Sequence, residues 1–270
     1  MIIYTKEGLI QEIKHIAAQG WHKSVKETSD TRNDGAVGNT LENLLGIKEN
    51  NLPIPNAREW ELKGQRSHTS SLITLKHLEP SPTALGIVSN ILLPYYGWKH
   101  KQAGIKYPTN EMSFRSTTSS KEFTKRGFTI VVDRNQAKIR FVFDSSRVNT
   151  SQSEIKSWLD SVRQRVGLDA FNPEPYWGFE DLKYAIGEKI KNCFYVVADS
   201  KTIDGREYFL YKELYLLYGF SFENFLQCIE SGIIFIDFDA RTGHNHGTKF
   251  RMKQGCWGSL YSKAEKVILL

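Results

Sequence analysis

The chain has 270 residues, 40% of them apolar and 24% charged, enough to bury a sizeable core, which argues against a disordered polymer. A formal net charge of +6 and a pI of about 9.0 favour a polyanionic partner, because lysine and arginine neutralise phosphates and release counterions. The widely spaced Cys193, Cys228 and Cys256 argue against a disulfide framework or a paired zinc motif, and the charged start and lack of any run near roughly 18 apolar residues point to a soluble cytoplasmic protein.

In chain order, Leu9, Ile10, Ile13, Ile16 and Ala17 recur at helical spacing and predict a helix over about 6–19, ending near Gly20. The polar stretch 24–38, with Asp34-Gly35, reads as a loop, after which Asn39 or Thr40 caps a short helix carrying Leu41, Leu44, Leu45 and Glu42. Pro53 and Pro55 break the chain, and Glu59 to Lys63 then alternates charged and apolar residues with the period of a strand; Ser71 to Leu75 reads as the next strand. Tyr95, Tyr96 and Trp98 either stack on bases or wedge into a groove or, as their neighbours Leu92 and Leu93 favour, belong to the core, with Lys99, His100 and Lys101 then facing a nucleic acid.

The Ser- and Thr-rich stretch 113–124 brings Arg115 and Lys121, with Lys125 and Arg126 just beyond; it suits either phosphate contacts or a solvated loop. Phe128 to Asp133 and Lys138 to Phe143 flank a turn and make a hairpin, and 154–166 and 179–190 look helical. Strands are expected at 194–198 and 208–211, a helix at 221–230 stopped by Gly232, a strand at 233–238 and a loop over 241–248. The mixture is α/β or α+β. With no repeat and no linker, one unit over 1–270 is expected, built as a single domain or as two packed lobes.

Side chains at i, i+2 and i+4 of a strand share a face, so Glu59, Glu61 and Lys63 project together while Trp60 and Leu62 face the core. Two carboxylates and an ammonium form a minimal toolkit for Mg²⁺-dependent phosphodiester hydrolysis: the acids hold a hard cation, and the lysine orients water or supports departing charge. A solvated face on an edge strand has the same spacing, so the pattern alone does not decide. Further on, Asp237, Asp239, Arg241, His244, His246, Lys249 and Arg251 crowd one segment with groups that read base edges. His244-x-His246 also has the spacing of half a zinc site, although no spaced cysteine or third histidine completes it.

The stretch GNTLENLLGIKENNLPIPNAREWELKGQR at 38–66 resembles the active-site region of the MvaI/BcnI restriction endonucleases, relatives of the mismatch-repair nicking enzyme MutH. Gly20-Trp21-His22, the strand at Ser71 to Leu75, Pro80-x-Pro82 and His246-Gly247-Thr248-x-Phe250-Arg251 extend the resemblance over nearly the whole chain. It implies a PD-(D/E)xK core, a mixed β-sheet flanked by helices, with a DNA-recognition lobe. The implied catalytic set is Glu42, Asn56, Glu61 and Lys63, within an active-site region of about 38–80. Mg²⁺, for which Mn²⁺ can substitute, would sit on Asn56, Glu61 and Glu59.

The implied recognition segment is about 233–253, with Asp237, His246 and Arg251 on matching positions and Arg241 and Asp239 aligning less securely because the loop is shorter. The implied substrate is double-stranded DNA at a short, nearly palindromic site containing CC and GG, cut by a monomer whose functional counterpart is a cognate DNA methyltransferase. One position departs: Asn56 stands where the family has aspartate, and its amide oxygen carries no charge. A natural variant, a Glu59 that takes over, and a disabled enzyme all fit that change. A DNA-binding module that no longer cuts and a MutH-like nicking enzyme are the rival expectations.

Overall fold

The computed structural model describes residues 5–26, 35–47, 60–67 and 70–269. In chain order they form α1 (Lys6–Ala18), β1 (His22–Lys23), α2 (Ala36–Leu44), β2 (Trp60–Arg66), β3 (Ile73–His77), α3 (Leu93–Tyr96), β4 (Trp98–Lys99) and β5 (Met112–Thr118). There follow β6 (Arg126–Asp133), β7 (Lys138–Val148), α4 (Ser153–Val166), β8 (Tyr176–Gly178), α5 (Phe179–Leu182), β9 (Asn192–Ile203) and β10 (Arg206–Phe220). The chain ends with α6 (Phe222–Glu230), β11 (Ile234–Arg241), β12 (His244–Asn245), β13 (Lys249–Met252) and β14 (Tyr261–Ile268). Two compact units result, and their segments interleave: Met1–Ile73, Ala185–Asn224 and Lys253–Leu270 make the first, Thr74–Tyr184 and Phe225–Met252 the second. No helix among the described residues is long and apolar enough to cross a membrane.

The first unit is a mixed sheet in the order β1-β10-β9-β2, with β14 also paired to β10. β2 runs parallel to β9, and the β9–β10 hairpin turns at Asp204 and Gly205, both at positive φ, as a tight hairpin of right-twisted strands requires. The apolar stripes of α1 (Leu9, Ile13, Ile16, Ala17) and α2 (Val37, Leu41) close one face of this sheet over Leu62, Phe194 and Val196. Burial of each large side chain there is worth about 1.5–3 kcal/mol. Thr5 caps α1, its Oγ1 accepting from Gly8 N at 3.1 Å.

α2 starts at Ala36, ahead of the expected cap, and Thr40 lies inside it with its hydroxyl donating to Ala36 O at 2.7 Å. Burial of Ala36 and Val37 outweighs the capping preference of Asn39 and Thr40, because Val37 and Leu41 extend one stripe into the core. The helix meets β2 backbone to backbone: a Cβ at Gly64 would stand 2.9 Å from Gly38 Cα. Gly64→Ala is therefore expected to destabilise the protein by about 1–3 kcal/mol, read as a lower urea midpoint. An unchanged midpoint would mean that α2 and β2 do not approach this closely.

The second unit has a sheet in the order β3-β13-β11-β5-β4, with β12 beside β11, and a smaller sheet β6-β7-β8. Its core is aromatic: Phe114, Phe128, Phe141 and Phe238 are at most 2% exposed, and the Phe141 and Phe238 rings lie 4.5 Å apart.

Three expectations are corrected here. The stretch 113–124 opens as strand β5, where Ser113, Ser116 and Thr118 are buried and Ser116 and Thr118 hydroxyls bond each other at 2.9 Å, because Phe114 anchors it in the core. His100 does not face outward: it is 8% exposed, accepts from Gln102 N at 3.0 Å and packs edge-on against Tyr107. Residues 179–190 do not form one helix, since α5 gives way to a wider π turn at Lys183–Gly187.

Candidate active site

Alternation along β2 separates the two faces as the sequence predicts. Leu62 enters the core and Trp60 packs edge-on against Phe194 and Tyr218, with centroids 4.7 and 5.1 Å apart. Glu61 and Lys63 project from the opposite face, beside Cys193 and Tyr195 of β9 in register. That face is not the solvated side of an edge strand, because Glu61 is only 2% exposed. Lys63 Nζ lies 2.8 Å from Glu61 Oε1, and Lys189 Nζ lies 3.7 Å from the same oxygen.

Burial alone would lower the Lys63 pKa, but the Glu61 carboxylate, and more weakly Glu42, hold it above its ordinary value, so the side chain is an ammonium. Glu42 rides half-buried on α2. Of the expected catalytic and metal-holding residues, Glu42, Glu61 and Lys63 thus share one electrostatic neighbourhood, whereas Asn56 and Glu59 lie outside the described residues. Lys189 was missed, since nothing in its neighbourhood marks one lysine before a strand as special.

Glu61 Oε2 is buried and, among the described residues, has no hydrogen-bond partner. A buried carboxylate oxygen left without a donor is costly, which makes it a natural ligand for a cation. Mg²⁺ takes hard oxygen donors and is commonly held by one or two carboxylates together with waters and substrate phosphate oxygens. Glu61 fits that donor set. Among the described residues no group of three or more His, Cys, Asp or Glu side chains forms a ready metal cage, and His244 and His246 face each other at 3.3 Å with no third ligand of that kind.

In the second unit, β11 buries Ile234, Ile236, Phe238 and Ala240 and turns Phe235, Asp237, Asp239 and Arg241 outward. Register then builds a polar stripe: Thr117 and Lys249 flank Asp237, Arg115 sits opposite Asp239, and Arg251 opposite Phe235. Thr117 Oγ1 donates to Asp237 Oδ1 at 2.7 Å, and Arg251 Nη1 donates to Asp237 Oδ2 at 3.2 Å. Arg115 Nε and Lys249 Nζ lie 2.7 and 3.7 Å from the Asp239 carboxylate.

Arg241 bonds Glu111 at 3.1 Å and stacks over the Tyr107 ring. His246 donates its backbone N–H to Asp239 O at 2.9 Å; burial outweighs the nearby carboxylate and lowers its imidazole pKa, favouring the neutral ring. Glu79 fastens the turn, accepting from Thr248 N and Oγ1 at 2.8 and 3.1 Å. Thr117 and the Arg115–Asp239 pair escaped the sequence reading because β5 looked like a loop; nothing in the sequence marked Glu79.

The sequence matches the MvaI/BcnI restriction endonuclease family over residues 10–261. A solved structure of restriction endonuclease MvaI with its cognate DNA substrate is similar at a TM-score of 0.73 and 21% identity, covering 99% of this chain and 100% of that one. MvaI solved in the absence of DNA is similar at a TM-score of 0.52, with the same identity and coverage. The search of curated proteins returned no significant match.

Proposed function

Because the chain belongs to the MvaI/BcnI restriction endonuclease family, we propose that it is a type II, Mg²⁺-dependent endonuclease that hydrolyses phosphodiesters of double-stranded DNA at a short, nearly palindromic site containing CC and GG. The observation that carries the catalytic reading is Glu61: one carboxylate oxygen is held by Lys63, and the other is buried without a donor among the described residues.

Glu61, the Asn56 amide oxygen and Glu59 are the residues that would hold Mg²⁺, or Mn²⁺ in its place. When bound, the cation supplies charge stabilisation at the phosphorus and acidifies water. Lys63, kept protonated by Glu61, orients the attacking water and supports the negative charge of the departing oxygen. Glu42 adds to the field that keeps Lys63 charged, and Lys189 balances the buried carboxylate.

In the second unit, arginines of the polar stripe donate to guanine, aspartates accept from cytosine N4, and His244 and His246 read either through their ring nitrogens. Ion pairs within the stripe hold these heads in place before DNA arrives. The enzyme acts as a monomer making two sequential strand cuts, and a methyltransferase of the same specificity protects the host's sites.

Incubating this protein and Asn56→Asp with mixed plasmid DNA and Mg²⁺, then sequencing the ends, tests the proposal. Linear fragments sharing a CC/GG site are expected, with Asn56→Asp the faster enzyme because it restores a charged ligand. Products that stop at open circles would identify a nicking enzyme. Binding without cleavage in Mg²⁺ or Mn²⁺ would identify a DNA-binding module.

A further inference from the structure

We infer that the loop over 100–111 is a second DNA-contacting element, on which Ile105 enters a groove beside the base pairs read by the polar stripe. Lys101 and Lys106 then lie against the flanking phosphates; the inference deepens the DNA reading proposed above and rests on it. Ile105 is 86% exposed, the most exposed large apolar side chain among the described residues. A lone exposed isoleucine needs no function, but its rigid loop, its anchorage to the stripe and its charged neighbours set this one apart.

The backbone N–H groups of Ile105, Lys106 and Tyr107 all donate to Gln102 O, at 3.2, 3.0 and 3.2 Å, and Gly104 N donates to Tyr107 O at 2.8 Å. His100 N closes the base of the loop on Glu111 O at 2.8 Å, and the His100 ring packs edge-on against Tyr107. A tip held out by its own hydrogen bonds loses little freedom when it meets a partner. The loop is also fastened to the stripe. Arg241, the last residue of β11, donates to the buried carboxylate of Glu111 at 3.1 Å and stacks 4.6 Å over the Tyr107 ring. Met112 N donates to Thr242 Oγ1 at 3.0 Å, and Thr242 N returns a bond to Met112 O at 3.1 Å.

Between Trp98 and Met112 the exposed charged residues are Lys99, Lys101 and Lys106, while Glu111, the one acid, is buried against Arg241. An apolar tip flanked by cations matches a DNA groove, whose walls are phosphates and whose floor offers base edges and thymine methyls. Proteins insert isoleucine and similar side chains into grooves in this way.

The test is fluorescence anisotropy of the full-length protein with a labelled duplex carrying a CC/GG site in Ca²⁺. The variants are Ile105→Ser, Ile105→Leu, Arg251→Ala and the double variant Lys101→Ala with Lys106→Ala. Ile105→Ser is expected to raise Kd about 10-fold, with Tm unchanged because the side chain is exposed. Ile105→Leu is expected to bind like the parent, and the lysine variant to flatten the salt dependence by about 0.9 per lysine. Parent-like binding by Ile105→Ser would overturn the inference whatever the lysines do; with Arg251→Ala weakened, the stripe would still stand. A parent that self-associates through Ile105, shown by sedimentation of Ile105→Ser with unaltered DNA affinity, would assign the tip to contacts between copies and overturn it too. No binding of any duplex by the parent would remove the DNA reading and this inference together.

Discussion

Glu61→Gln is expected to slow DNA cleavage by about 10²–10⁴-fold, with specific DNA binding retained. The substitution keeps the shape of the side chain and removes the charge that holds Lys63 as an ammonium and attracts a cation. It also leaves Lys63 and Lys189 without their shared anion. Breaking a buried pair costs about 3–5 kcal/mol when both groups are dry. Here the cost is smaller, because Lys63 keeps 21% exposure and Glu42 still acts on it.

Single-turnover cleavage at saturating enzyme, beside gel-shift binding in Ca²⁺, separates chemistry from folding. Parallel loss of both would mean that Glu61 is chiefly structural. Full cleavage by Glu61→Gln would remove Glu61 from the catalytic set.

Arg251→Ala is expected to weaken binding to the cognate site by about 1–3 kcal/mol and to relax specificity at one base pair. Arg251 is anchored by Asp237, which Thr117 holds from the other side, so its guanidinium is already oriented as a donor array. Such a group discriminates bases because a wrong partner leaves its hydrogen bonds unmade. Competition between cognate duplex and duplexes changed at single positions is the measurement. A loss equal on all sequences would make Arg251 a phosphate contact, as would a smaller salt dependence of binding in the variant.

The legible parts of this chain were those where chemistry follows local period. Alternation at 59–63 separated Trp60 and Leu62 from Glu61 and Lys63, and the 3.6 period set the buried face of α1. Strand ends were not legible: β10 runs to 15 residues because it is flanked by both β9 and β14, and its alternating Tyr, Leu and Glu residues become a strand only when those neighbours accept its hydrogen bonds. β14 itself, with Lys and Glu along it, lacks any apolar run that would announce it. β5 was hidden for the related reason that buried serine and threonine pair with each other rather than with water.

Sequence by itself determined the family, the mixed α/β class, the Glu61-x-Lys63 pair and the polar segment from Asp237 to Arg251, since each is written in residue types a few positions apart. Tertiary structure alone decided that Glu61 is buried with one oxygen lacking a partner among the described residues, that Lys189 belongs to its surroundings, and that Arg115 stands opposite Asp239. Those facts depend on register between strands and on segments far apart in the chain. Desolvation and ion pairing exist only once such segments have met.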